Sequence, residues 1–197
     1  MLKEKLKDYK IILASGSPRR QSFFEDMGIP FEVKLKPVKE SYPSHLSRAE
    51  ITDYLSELKS EAFEGELNTN DILITSDTIV WHDGAALGKP ADPAQAMEML
   101  RSLSDKTHEV ITSVCFRTSE KIKIVNCTTR VKFCKLSEEE IAYYINEYRP
   151  FDKAGAYGIQ EWIGLVGIEH IEGSYFNVVG LPTHLVYETL MEIADGE

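Results

Sequence analysis

Residues 11–20 read Ile-Ile-Leu-Ala-Ser-Gly-Ser-Pro-Arg-Arg. An apolar run stops at Ser15-Gly16-Ser17, and the residues after it have the marks of a helix start. Pro18 suits the first helical turn, because the N–H it lacks would be unpaired there in any case. Ser17 is the residue type that caps such a start. Arg19 and Arg20 then stand in the first turn, where the macrodipole favours negative charge. Two cations in that place are locally unfavourable unless an anion offsets them. A strand, a turn of small residues, a helix N-terminus and two guanidiniums together make a phosphate site. An ordinary strand–helix junction with solvated arginines is the competing reading, and this stretch alone leaves both open.

Outward from this stretch, residues 10–15 are expected as a strand, 18–27 as a helix ended by Gly28, and 31–35 as a second strand. Residues 47–63 read as a helix: Ser47 with Glu50 has the spacing of a capping box, and Ile51, Tyr54, Leu55, Leu58 and Ala62 share one apolar face. Residues 72–80 form a run apolar enough for a strand buried on both faces. His82-Asp83-Gly84 is a turn signal, and Asp92-Pro93 caps a helix running to Leu103. Residues 108–117 and 121–135 alternate as a second hairpin. Ser137 with Glu140 opens a helix over 137–148, and 150–164 is a Gly-rich, charged loop or short helix. Residues 165–171 and 174–179 read as strands, and 182–193 as a closing helix. The order implies one α/β domain over residues 1–197, with helices flanking a twisted mixed sheet.

The 197 residues suffice for one substantial core or two closely packed lobes. The formal net charge of −10 argues against sequence-independent binding of nucleic acid, which rests on many Lys/Arg contacts to phosphates. It leaves a small anionic ligand open, since a local basic pocket can exist in an acidic protein. No apolar run is long enough to span a membrane. The N-terminus, MLKEKLKDYK, lacks the apolar core of a signal peptide. Cys115, Cys127 and Cys134 fit neither a metal spacing nor a disulfide framework and are expected as buried thiols. A reducing cytoplasm is the expected location.

Asp77 interrupts the apolar run 72–76. A buried, unpaired carboxylate costs roughly several kcal/mol, so it needs a metal, a cation or a catalytic task. Pairing to an arginine is the structural alternative. Lys59 and Lys89, taken singly, would be solvated surface charges.

Several further stretches carry a resemblance. Residues 13–20, LASGSPRR, are succeeded in order by Phe31-Glu32-Val33 and by Lys59 within Leu58-Lys59-Ser60-Glu61-Ala62. Then come Ser76-Asp77-Thr78-Ile79-Val80, Gly88-Lys89-Pro90, Thr107-His108-Glu109-Val110, DKAGAYGIQ at 152–160 and GSYFNVVGLP at 173–182. Over roughly residues 10–190 this set resembles the Maf family of nucleoside triphosphate pyrophosphatases.

The resemblance implies an elongated α/β fold, with two lobes and a central cleft, related to that of inosine triphosphate pyrophosphatases. It implies hydrolysis of a nucleoside triphosphate to the monophosphate and pyrophosphate. Ser15, Arg19, Arg20, Lys59 and Lys89 would bind the phosphates, and Asp77 would accept the proton of the attacking water. A divalent cation, Mg²⁺ or Mn²⁺, is implied beside Asp77, with Glu32 as the expected second carboxylate and Glu40 as the weaker candidate. Arg19, Thr78 and Gln160 match the subgroup that prefers dTTP and UTP. Gln offers both a donor and an acceptor to the O4/N3 edge of uracil or thymine. Trp162 stands where relatives carry other residues and could reshape the base pocket. A homodimer is implied as well. The alternative function is a non-catalytic nucleotide sensor or interaction protein linked to septum formation; the intact Asp77, Lys59 and Lys89 favour the enzyme.

Overall fold

The structure is a computed structural model and describes residues 2–196. Two compact units are built from interleaved segments. The first takes the chain up to Asp77, Thr112–Cys127 and everything from Gly180 onward; the second takes Thr78–Ile111 and Thr128–Val179.

In the first unit, β1 (Lys10–Leu13) runs parallel to both β2 (Glu32–Val33) and the start of β3 (Asp71–His82). The register pairs Ile11 with Ile72 and Leu13 with Ile74. Parallel strands covered on both faces need continuous apolar sequence, which Ile11-Ile12-Leu13 and Ile72-Leu73-Ile74 supply. Helices α1 (Leu2–Lys5), α2 (Pro18–Asp26), α3 (Ala49–Glu61) and α8 (Thr183–Asp195) belong to this unit. Its core gathers Leu13, Phe24, Ile74, Phe116, Val186 and Leu190.

The second unit holds the remainder of β3, its antiparallel partner β4 (Ala85–Leu87), and α4 (Pro93–Leu103). The turn joining β3 to β4 carries positive φ at both Asp83 (48°) and Gly84 (81°), as a tight hairpin turn demands. Strands β5 (Thr107–Arg117) and β6 (Ile122–Phe133) contribute residues to both units. Helix α5 (Glu138–Tyr148), a short 3-10 turn (Ala154–Ala156), α6 (Trp162–Gly167), β7 (Ile168–Glu172) and α7 (Tyr175–Val179) complete the second unit. Its core is built on Leu100, Leu103, Phe133, Tyr144 and Ile163. The strand order is β2-β1-β3-β5-β6-β7, with β4 pairing to β3, so the sheet is mixed as expected.

Several local expectations need correction. Helix α3 starts at Ala49 rather than at Ser47, because Arg48 precedes it with a positive φ of 49°. Glu50 still reaches back to the Ser47 N–H at 3.0 Å, which is half of the anticipated capping box. Residues 162–167 are helical where 165–167 were expected as strand. Residues 175–179 form α7 although SYFNVV has strand-forming residues. Here the Ser174 hydroxyl accepts the Asn177 N–H at 3.3 Å, and the buried Asn177 amide donates to the Val110 carbonyl and Thr129 Oγ1, both at 3.0 Å. Satisfying the amide outweighs the strand propensity of this short segment. The three cysteines are free, with Cys115 buried and the other two only half-buried. Among the described residues no helix is long and apolar enough to cross a membrane.

Candidate functional site

Strand β1 delivers Ser15 to the N-terminus of α2. Ser17 occupies the cap position but makes no side-chain capping bond, contrary to the expected use of its hydroxyl. The Ser15 hydroxyl instead accepts the Ser17 N–H at 3.3 Å, and Gln21 donates its amide to the Ser15 carbonyl at 3.0 Å. The turn is thus fixed by Ser15 and Gln21, and the first turn of α2 keeps the positive potential of a helix start.

Arg20 turns toward β3. Its Nε donates to the Gly180 carbonyl at 2.8 Å, and its Nη1 donates to the Ser76 carbonyl at 3.0 Å. The arginine therefore ties the strand just before Asp77 to the start of the C-terminal segment. Burial lowers its pKa to about 10, while Asp77 pulls the other way.

Asp77 ends the first unit's portion of β3 and is buried. Lys59, from the last turns of α3, donates to Asp77 Oδ1 at 2.5 Å and also lies 3.1 Å from Glu40 Oε1. The same ammonium is 3.4 Å from the Ser76 carbonyl. Burial raises the Asp77 carboxyl above the usual carboxylate range, against the pull of Lys59 and Arg20; Glu40 adds to the rise. A carboxylate so placed is a better proton acceptor than one in water.

Of the residues singled out from sequence, Arg20, Lys59 and Asp77 thus come together, with Glu40 as the second carboxylate. Glu32 does not join them. It pairs in register with Ile12, which also pairs with Leu73, four residues before Asp77. That offset is about 13 Å along the strand at the usual rise per residue. Its carboxylate lies 2.9 Å from the exposed Lys10 ammonium.

Thr78, Lys89 and Gln160 belong to the second unit. Thr78 is half-buried, whereas Lys89 and Gln160 are exposed. The Gly88 carbonyl accepts the Gly155 N–H at 3.0 Å, which ties the loop carrying Lys89 to the 3-10 turn. Trp162 packs edge-on against Tyr143, with ring centroids 4.9 Å apart. One contributor was not legible from sequence: the Gly180 carbonyl is a backbone group and leaves no residue-type signal.

Among the described residues no group of three or more His, Cys, Asp or Glu side chains could hold a metal ion. Asp77 and Glu40 sharing one ammonium is nevertheless a set of hard oxygen donors. That set suits a cation bound by few carboxylates together with substrate phosphates rather than a closed protein cage.

A family model described as Maf, Maf-like protein, matches residues 10–193. A protein of Christiangramia forsetii named dTTP/UTP pyrophosphatase is 61% identical over 196 residues, covering 100% of both chains. A protein of the same name from Flavobacterium johnsoniae is 60% identical over 190 residues, covering 96% of this chain and 98% of the other. Among solved structures, the Ham1 protein of Staphylococcus aureus is 16% identical with a TM-score of 0.44, over 63% of this chain and 71% of that one. A likeness of that size carries no weight beside the strand order and register.

Proposed function

The chain belongs to the Maf family, and from that membership we propose that it is a nucleoside triphosphate pyrophosphatase acting on dTTP and UTP. Water attacks the α-phosphorus, the bond to the bridging oxygen breaks, and the monophosphate and pyrophosphate leave. The observation that carries this reading is the buried Asp77 carboxyl, raised by burial and held against Lys59. A purely structural aspartate gains nothing from a raised pKa, whereas a general base does.

In this reading Asp77 takes one proton from the attacking water. Lys59 holds the carboxylate oriented and supplies positive charge for phosphate oxygens. Arg20 fixes the strand that presents Asp77 and adds its positive charge to the site. Ser15, Arg19 and the first turn of α2 supply the remaining donors for the triphosphate tail. Lys89 is assigned to the phosphates by residue type and motif. Asp77 and Glu40 would hold a divalent cation, which would offset phosphate charge when bound. Glu40 replaces Glu32 in this role.

Thr78 and Gln160 select the base, and Arg19 completes the specificity set. The carboxamide of Gln160 offers the paired donor and acceptor that a uracil or thymine edge requires. The reading extends to a cytoplasmic homodimer, which sedimentation of the purified protein would test.

The decisive experiment is hydrolysis of a panel of nucleoside triphosphates with Mg²⁺, identifying products. Pyrophosphate release selective for dTTP and UTP is expected. Release of orthophosphate, or a preference for purines, would overturn the reading.

A further inference from the structure

Gln160 sits in a short turn closed by the Glu161 N–H donating to the Gly158 carbonyl at 3.0 Å. The surroundings of that turn are unusually constrained for a surface loop. Glu161 stands at the cap position of α6 but makes no capping bond. Its carboxylate turns back instead: Oε1 lies 3.0 Å from the Lys153 ammonium, and Oε2 accepts the hydroxyl of Tyr144. The same hydroxyl accepts the Gly158 N–H at 3.0 Å. Tyr144 is fully buried and stacked on Tyr148, so its hydroxyl is fixed by the core. Burial, and then Glu161, push the phenol well above its usual pKa, so it keeps its proton. That single proton goes to Glu161, because an ion-paired carboxylate can only accept. The Gly158 N–H, Tyr144 and Glu161 therefore form a one-directional chain of hydrogen bonds between the core and the turn.

Gly158 explains how the turn closes so tightly. A Cβ built on it would lie 2.9 Å from Gln160 Nε2, 3.0 Å from Glu161 Cδ and 3.0 Å from Lys153 Cε. Three side chains converge over the position where any other residue would carry its first carbon. A Cβ here would press on the ends of these side chains, and the Gln160 carboxamide would have to move away from its place over the Gly158 backbone.

We propose that Gly158, Tyr144 and Glu161 are positioning residues that fix the turn presenting Gln160 and so set the enzyme's selectivity for pyrimidine nucleotides. This rests on the assignment of base selection to Gln160 made above. Preorganisation is the physical reason: a polar side chain on a loop discriminates by hydrogen bonding only if it is held in place before the base arrives.

The test compares kcat/KM for dTTP with that for dGTP in the wild type, Gly158→Ala, Gln160→Ala and the Gly158→Ala/Gln160→Ala double variant. Gly158→Ala is expected to lower the dTTP:dGTP ratio about tenfold, mainly through KM for dTTP, with kcat changing less than threefold. The double variant is expected to lose no more selectivity than Gln160→Ala alone, since both changes act on one carboxamide. A merely structural role would lower kcat and thermal stability while leaving the ratio in place. An unchanged ratio in Gly158→Ala, with Gln160→Ala impaired, would overturn the positioning role and leave base selection by Gln160 standing. An unchanged ratio in Gln160→Ala would overturn both. If Gly158→Ala fails to fold, Glu161→Gln answers the same question. It keeps an acceptor for Tyr144 but breaks the ion pair to Lys153, so a lowered ratio supports the proposal and an unchanged one overturns it.

Discussion

The ammonium of Lys59 lies 2.5 Å from Oδ1 of Asp77, and the same nitrogen lies 3.1 Å from Oε1 of Glu40, so one cation from α3 serves two carboxylates. Even with that cation in contact, burial leaves the Asp77 carboxyl above its usual range. The site therefore holds a charge that the fold does not fully stabilise, as expected where a group is kept for reactivity rather than for stability. This imbalance, and the anchoring of the strand that carries Asp77, have three measurable consequences.

The first is a separation of activity from stability at Asp77. Its folded pKa exceeds its unfolded one, so between the two values the unfolded chain binds fewer protons than the folded one. Stability is then lost as pH rises through the folded value, and ionised Asp77 is a net cost at neutral pH. Asp77→Asn removes that cost. It should lower kcat by about 10²–10⁴-fold, the range for loss of a general base, while the melting temperature stays level or rises. Pyrophosphate release and thermal melts on one preparation check this. A large fall in melting temperature would mean that Asp77 serves chiefly as a structural partner of Lys59.

The second concerns pH. The base acts when ionised, so the rate should rise with pH as Asp77 passes through its pKa. Lys59 pulls that pKa down by its charge and its hydrogen bond. Lys59→Met removes both and should move the acid limb of the kcat profile to higher pH, in addition to weakening substrate binding. A limb that stays in place at saturating dTTP would show that Asp77 does not control it.

Arg20 supplies the third. Its two bonds to the Ser76 and Gly180 carbonyls hold β3 to the C-terminal segment through one planar group. Lysine offers a point charge and cannot make both bonds in that geometry. Hydrogen bonds to a charged group contribute roughly 1.5–3 kcal/mol each, so Arg20→Lys should lower the melting temperature by several degrees as well as reduce kcat. A variant as stable as the wild type would assign Arg20 to the substrate alone.

Much of this architecture is readable in the sequence, and the failures have physical causes. The apolar runs around Ile12 and Leu73, the Asp92 cap and the Ser137–Glu140 capping box are local signals, and the structure contains each of them. Asp77 stands out because a carboxylate within an apolar strand demands a partner. Glu32 misled because its residue type fits a metal ligand, while its distance from Asp77 depends on strand register, a non-local quantity that one sequence does not encode visibly. The segment 175–179 misled because β-branched and aromatic residues dominate it. Its conformation is decided by one buried amide whose acceptors, Val110 and Thr129, lie far away in the chain. Tyr144 and Glu161 went unread for the same reason: neither residue is informative until the turn at Gly158 is folded against them.

Acid sensitivity gives the last prediction, away from the candidate site. His108 is buried on β5, edge-on to Phe133, with Nε2 2.7 Å from the Tyr157 hydroxyl and Nδ1 without a hydrogen-bond partner among the described residues. Burial, reinforced by nearby His82, lowers its pKa from 6.5 to about 3. The folded chain thus keeps His108 neutral where the unfolded chain takes up a proton. Below about pH 6.5 the unfolded state binds more protons, so stability falls with falling pH, continuing until the folded value near 3 is reached. Between about pH 6.5 and 5 most carboxylates remain ionised, so this histidine should contribute measurably to the slope there. His108→Gln keeps a hydrogen-bonding group toward Tyr157 but cannot titrate. Its melting temperature should change less across that window than that of the wild type, even if its absolute value is lower. Equal slopes in the two proteins would show that the acid sensitivity comes from other groups.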